Sequence, residues 1–359
     1  MRRLALAALF VACASRPRET RTVPAPAASV VAAEDAGAPA PPSWPGEVEV
    51  MLAEPFVTTA LHQTRTHVVW TEELEPSDTK VIRAIVALDK KTLTKRTIHT
   101  LTFPVPRSRH EMMAQGDSRN DLVTTDDAVF LERSDHTLRI TLDDRAPIRL
   151  QNVDDPQCAD TTSFVHVDPS NRASVRPLRN GKATRFPLAI PKGYDLIECQ
   201  VVNGGLYLFL ETHTDPKEWS APRGLLGRVP LEGGAFETVT PLDGPARNAS
   251  AGDGAFAFRT RPHADPFFGH VMLLEPGKPL RLVAKTTGVT EDVAVNRTHV
   301  CWNEMPDPSS RGRLLCAPRA GGEPVVVVDH AGPMVGYFLL DDDHLMWMDG
   351  GLRRIAVPR

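Results

Sequence analysis

Arg65-Thr66-His67-Val68-Val69-Trp70-Thr71-Glu72-Glu73 lies without a gap over Arg297-Thr298-His299-Val300-Cys301-Trp302-Asn303-Glu304-Met305, with six identities in nine positions at an offset of 232. A second ungapped match sets Arg223-Gly224-Leu225-Leu226-Gly227-Arg228-Val229-Pro230-Leu231-Glu232-Gly233-Gly234 over Arg311-Gly312-Arg313-Leu314-Leu315-Cys316-Ala317-Pro318-Arg319-Ala320-Gly321-Gly322 at an offset of 88. Five units of about 46 residues fit the first offset and two of about 44 fit the second, so the chain is built from an internal repeat. Each unit follows one order: a strand, a polar turn, an aromatic or aliphatic strand, a longer loop, a third strand, a Gly or Pro turn and a fourth strand. The pattern is plainest late in the chain. Val289 to Val295 leads through Asn296-Arg297 to His299 to Asn303, then past Pro306 and Pro308 to Arg313 to Ala317, the Gly321-Gly322 turn and Val325 to Val328.

Other units centre on Trp70, Phe130, Val165, Phe209 and Phe258, and a final one on Trp347, which makes seven. Four-stranded units of this length cover their sheet edges by packing radially. The expected fold is therefore all-β, a seven-bladed β-propeller of four-stranded antiparallel blades, with six or eight blades as alternatives. The last unit, Met334 to Val357, has room for three strands only, while Glu47 to Leu52 is a spare strand ahead of the first unit. Pairing the two predicts that the N-terminal strand closes the ring as the outer strand of the last blade. The 32 prolines and 24 glycines agree with short elements and frequent turns, because proline lacks the amide proton that central strands need.

Val69-Trp70-Thr71, Cys301-Trp302-Asn303 and Gly227-Arg228-Val229-Pro230-Leu231-Glu232-Gly233-Gly234 resemble the blade motifs of YWTD-type and related bacterial propellers. The resemblance covers Glu47 to Arg359, is well matched in three or four blades and is weakest over Thr161 to Pro187. It implies a bacterial propeller that binds proteins or ligands. Some members of such families are enzymes, so the resemblance implies fold rather than activity.

Met1 to Ala14 reads Met-Arg-Arg, an apolar stretch from Leu4 to Val11, then Ala12-Cys13-Ala14, the charged, greasy and small-residue order of a secretory signal. Phe10-Val11-Ala12-Cys13 resembles a lipobox, which implies lipid attachment at Cys13. Ala12-x-Ala14 would instead serve an ordinary signal peptidase. Residues 15–45 are mostly Ala, Pro, Thr and Ser with almost no large apolar side chain, a composition too poor in buriable surface to offset ordering entropy. The division is then a signal over 1–14, a disordered Ala/Pro-rich linker over 15–45 and a propeller over 46–359. An exported protein is expected, held by lipid at the outer membrane or periplasmic face, or else secreted. The formal charge of −4 comes with no basic stripe, which argues against nucleic acid as a partner. A monomer is expected.

Candidate sites divide into repeated and unrepeated features. His67, His299 and His344 each stand three residues before a tryptophan, so they recur as scaffold does, and Asp341-Asp342-Asp343 reads as hairpin turn chemistry. The segment from Arg261 to His270 is copied nowhere else, and its His263, Asp265, Phe267, Phe268 and His270 form a candidate binding loop. Two histidines around an aspartate match no established zinc spacing, so no metal or cofactor is expected. Four cysteines remain after Cys13, an even number suited to an oxidising compartment. Cys301 and Cys316 fall on neighbouring strands of one blade, and Cys158 and Cys199 begin neighbouring blades, so both pairs are candidate disulfides. A buried free thiol acting as a small hydrophobe is the competing reading for Cys301.

No Gly-x-Ser-x-Gly, His-Glu-x-x-His or phosphate-cradling loop occurs, and no catalytic residue is assigned. A scattered site in the central channel would leave no linear motif. The leading expectation is a tethered or secreted binding or scaffold module recognising a protein or glycan through loops on one face. The alternative is a channel-centred metal-dependent hydrolase or lyase.

Overall fold

The computed structural model describes residues 44, 46–53, 61–74, 80–104, 122–133, 136–143, 145–150, 158–160, 162–168, 170–177, 182–212, 223–261, 269–305, 312–331 and 338–358, and every regular element among them is a strand. The strands form seven antiparallel sheets of four. Their inner strands are Leu61–Gln63, Leu122–Thr124, Cys158–Ala159, Tyr194–Val202, Ala246–Gly252, Val293–Val295 and Phe338–Leu340. Each inner strand touches the next and the last touches the first, so the sheets stand as seven blades around a ring.

A blade buries both faces against its neighbours, so its central strands are apolar along their length rather than at alternate positions. Trp70, Phe130, Val165, Phe209, Phe258, Trp302 and Trp347 each occupy the second strand of their blade, and all are buried. Two of the tryptophans explain the repeated glutamate of the opening alignment. The indole N–H of Trp70 donates to Glu72 at 2.8 Å, and that of Trp302 donates to Glu304 at 3.5 Å. Glu304 is 2% exposed, and its carboxylate also accepts from the Thr287 backbone and from Arg313. In blade 7 the equivalent residue is Asp349, one methylene shorter, and the indole nitrogen of Trp347 is buried without an acceptor.

The first hairpin of five blades opens on Thr64, Thr125, Asp160, Asn296 or Asp341, each donating its backbone N–H to the carbonyl three residues on. In four of them the side-chain oxygen also accepts that residue's N–H: His67 to Thr64, Ser163 to Asp160, His299 to Asn296 and His344 to Asp341. Blades 4 and 5 instead use Asn203-Gly204 and Asp253-Gly254, with positive φ at all four residues, the two-residue turn that suits strand twist. The acidic run before His344 is thus turn chemistry. Asp341 also binds Lys90 of blade 1 at 2.8 Å.

Blade 7 is completed by residues from the other end of the chain. Its sheet runs Glu49–Leu52, Leu352–Ala356, His344–Met348, Phe338–Leu340, with Glu49 opposite Arg354 and Val50 opposite Arg353. Arg354 secures this closure: Nε and Nη2 donate to the Glu49 carboxylate at 2.7 and 2.9 Å, and Nη1 donates to the Lys90 carbonyl at 2.6 Å. Just upstream, the Trp44 indole donates to the Ala356 carbonyl at 2.7 Å, and its ring lies 4.9 Å from that of His299 in blade 6. The pairing starts at Glu49, two residues later than the sequence pattern suggests.

Blade 6 departs from expectation in one further respect. Its inner strand begins at Val293, not Val289, which makes an isolated bridge to Met305. Between them the backbone N–H groups of Glu291 and Asp292 donate to the Asn303 side chain at 2.9 and 2.8 Å, so a side chain replaces the ladder there. Cys301 and Cys316 lie directly opposite on the second and third strands of this blade and are bonded. Cys158 and Cys199 are bonded between the inner strands of blades 3 and 4, with Cys199 midway along its strand rather than at its start.

Removing residues 1–53 should expose the edge of Leu352–Ala356 and lower the thermal midpoint by roughly 10 °C or more, whereas removing 1–43 should leave it nearly unchanged. A scan in which the two truncations melt together would show that the closing strand does not hold the ring.

Candidate functional site

In a meander of four strands the first and third turns share one end, while the connection between the second and third strands and the crossing to the next blade share the other. The turn face carries the hairpins described above and the lead-in at Trp44. Its histidines are fastened locally: His67 and His299 each share a hydrogen bond with the preceding threonine hydroxyl, at 2.8 and 2.9 Å. Burial lowers the pKa of both rings, which Asp89 partly opposes at His67.

The loop face differs from blade to blade. Between second and third strands, blades 2, 3 and 7 spend only residues 134–135, 168–171 and 349–351, while blades 1, 4, 5 and 6 spend 74–79, 213–223, 261–269 and 305–311. Of the candidate binding loop, His263, Asp265, Phe267 and Phe268 lie outside the described residues, as does Cys13. His270 opens the third strand of blade 5 opposite Thr260 and Lys285. Its pKa is lowered by burial and then by Lys285.

Where the inner strands of blades 4, 5 and 6 begin, the loop face carries a cluster of ionisable side chains. Two irregularities place them. The inner strand of blade 4 bulges between Leu196 and Glu198, and that of blade 5 between Arg247 and Ser250, where Asn248 takes a φ of 54°. Bulges re-aim side chains, and asparagine tolerates this backbone better than most residues. The Glu198 carboxylate accepts from the Ala249 backbone at 2.8 Å, linking blades 4 and 5. Arg247 forms a two-pronged pair with Glu211 of blade 4, through Nη1 and, at 2.9 Å, Nη2. The Asn248 amide donates to the Glu291 carbonyl and, at 3.4 Å, to the Asp292 carboxylate of blade 6. Arg259 donates to the Thr290 carbonyl.

The electrostatics of this cluster are unusual for the molecule. Burial and the adjacent Glu291 push the pKa of Asp292 up to about 7, against the opposing pull of Arg259 and the Asn248 hydrogen bond. Burial also raises that of Glu198, opposed by its hydrogen bonds from Ala249 and Gln200. Arg247 and Arg259 are both shifted down by burial, with Arg261 adding repulsion to each. The site can therefore change its charge near neutral pH while keeping guanidinium groups at hand. Among the described residues no group of three or more His, Cys, Asp or Glu is arranged to hold a metal ion.

Of these residues only Arg261 lies in a segment that stood out in the sequence; the others come from three blades, and Glu198, Arg247 and Asn248 from positions set by bulges. Two signals were available in principle: Arg247-Asn248-Ala249-Ser250, a polar run inside an inner strand, and the doubled acid Glu291-Asp292 just ahead of another.

No protein-family model matches the sequence, and no curated protein matches it. Solved structures do. The β-propeller domain of the Trilobed protease from Pyrococcus furiosus aligns with a TM-score of 0.54 at 8% identity, over 82% of this chain and 91% of that one. The Neurospora crassa Pan2 WD40 domain aligns with a TM-score of 0.51 at 10% identity, over 86% and 90%. An oligogalacturonate lyase in complex with manganese aligns with a TM-score of 0.50 at 12% identity, over 88% and 98%.

Asp292 offers a direct test of the electrostatics. Its folded pKa stands above the unfolded value, so the folded state holds the extra proton between about pH 4 and 7 and loses stability as pH rises through that window. Asp292→Asn should stabilise the protein at pH 8 by on the order of 2 kcal/mol, less than the full shift implies because the site is partly open to water, and by little at pH 4. Urea titrations at the two pH values check this; an equal gain at both would mean that Asp292 is charged throughout.

At identities this low the structural likenesses establish the fold alone, and the chain is a seven-bladed β-propeller.

Proposed function

We propose that this protein is an exported binding module, fixed to a membrane by lipid on Cys13 and held off it by residues 15–43, that recognises a macromolecular ligand on the loop face of blades 4 to 6. The observation that carries this reading is the contrast between the two faces. The turn face is built from repeated turns, with cross-blade bonds such as Lys90–Asp341 and Arg319–Glu275. The loop face carries the long connections and, at blades 4 to 6, the ionisable cluster that no other blade repeats. Variable loops on a rigid scaffold are where binding residues concentrate.

Trp44 and the start of the closing strand sit on the turn face, opposite the loop face. A photo-crosslinking residue at Glu291 or Arg223 should capture discrete adducts in the native host, and the same residue at Arg65 or Lys278 on the turn face should not. Adducts from the turn face alone would overturn the assignment. Separately, Cys13→Ser should move the protein from the membrane fraction to the soluble fraction; a variant that stays in the membrane fraction would remove the lipid tether from the proposal.

A further inference from the structure

Blade 5 presents an arrangement of arginines that works against its own stability. Arg247 and Arg259 stand directly opposite each other on its inner and second strands, and Arg261 follows one residue beyond the second strand. Like charges facing across a strand pair are destabilising. Among the described residues only one of the three is matched by a carboxylate at hydrogen-bonding distance: Arg247, held by Glu211. Arg259 gives one N–H to the Thr290 carbonyl, but its Nε is buried and finds no acceptor on the protein. The Thr290 hydroxyl beside it, on a residue 3% exposed, is also buried without a partner. Arg261 is exposed and makes no ion pair among the described residues. Arg259 thus meets Thr290 across the boundary of blades 5 and 6, and Arg261 lies near enough for the two guanidinium charges to repel each other. An acceptor that reached this donor-rich place would relieve both the repulsion and the unmet donors.

We propose that this place on the loop face is a carboxylate-binding site, formed by Arg259, Arg261 and Thr290, which captures an acidic side chain on a peptide segment of a protein partner. The inference rests on the binding-module reading above and gives its ligand a chemistry. A carboxylate meets the planar guanidinium fork with two parallel hydrogen bonds, which a neutral amide cannot match in strength. Asp292 nearby, with its carboxyl raised to about 7, opposes an incoming anion less than an ordinary aspartate would.

The test uses the mature chain and fluorescein-labelled ten-residue peptides of alternating Glu and Ser, with the Gln and Ser analogue as the neutral control. Fluorescence anisotropy should show the acidic peptide binding at least tenfold tighter than the neutral one, with affinity falling as salt is raised. Arg261→Gln, at an exposed position where folding is not at stake, should weaken the acidic peptide about tenfold, and Arg261→Glu should abolish its binding. Arg65→Gln on the turn face should change nothing. Equal binding of the two peptides, or an Arg261→Gln variant that binds as the parent does, would overturn the proposal. Tighter binding of an oligouronate than of the acidic peptide would overturn the peptide assignment. Loop-face crosslinks that persist while the acidic peptide fails would leave the binding-module reading standing and remove this one alone.

Discussion

Each sheet in this protein has two apolar faces, and among the described residues no helix covers either, so the sheets bury one another. That requirement favours the ring, which here is completed by a strand taken from the far end of the chain. Burial on both faces also sets the character of the second strands. Gly205–Thr212 and His299–Glu304 are buried along nearly their whole length, and the polar atoms carried in with them have to be matched inside. Glu304 shows how: a carboxylate placed two residues after a tryptophan meets the indole N–H, an arginine and a loop backbone together. A buried carboxylate with several partners is tolerable, whereas one stripped of them would be strongly destabilising.

The same constraint explains what could be read in advance. A position buried in every blade must be filled in every blade, so large apolar side chains recur in the second strands, aromatic in six blades and Val165 in the other, and reveal the number of blades. The closing strand was legible from a shortage, a final unit one strand too short. Cys301 and Cys316 were a candidate pair because they share a blade, with a buried free thiol as the competing reading, and the structure bonds them.

What escaped the sequence depends on local breaks in that periodicity. The positions of Glu198 and Arg247 follow from bulges, and a bulge shifts which face a side chain takes without leaving a regular mark in the pattern. The stretch from Val289 to Val295 reads as one strand, yet the backbone N–H groups of Glu291 and Asp292 go to the Asn303 side chain instead of a ladder. Arg259 and Asp292 are far apart in the chain and come together through adjacent blades. The residues that make the cluster distinctive are therefore the ones that repetition does not constrain.

The closing strand has a mechanical meaning. Glu49–Leu52 runs from the turn face toward the loop face, antiparallel to Leu352–Ala356, with its hydrogen bonds perpendicular to that direction. A force applied at the N-terminal side of Trp44 and directed away from the turn face would pull along the strand axis. It would load the rungs of that ladder together in shear, with Glu49–Arg354 and Trp44–Ala356 sharing the strain at the leading end. A strand pulled across the sheet would instead unzip one rung at a time. The ring is thus fastened at the point and in the direction where a tether would tug on it.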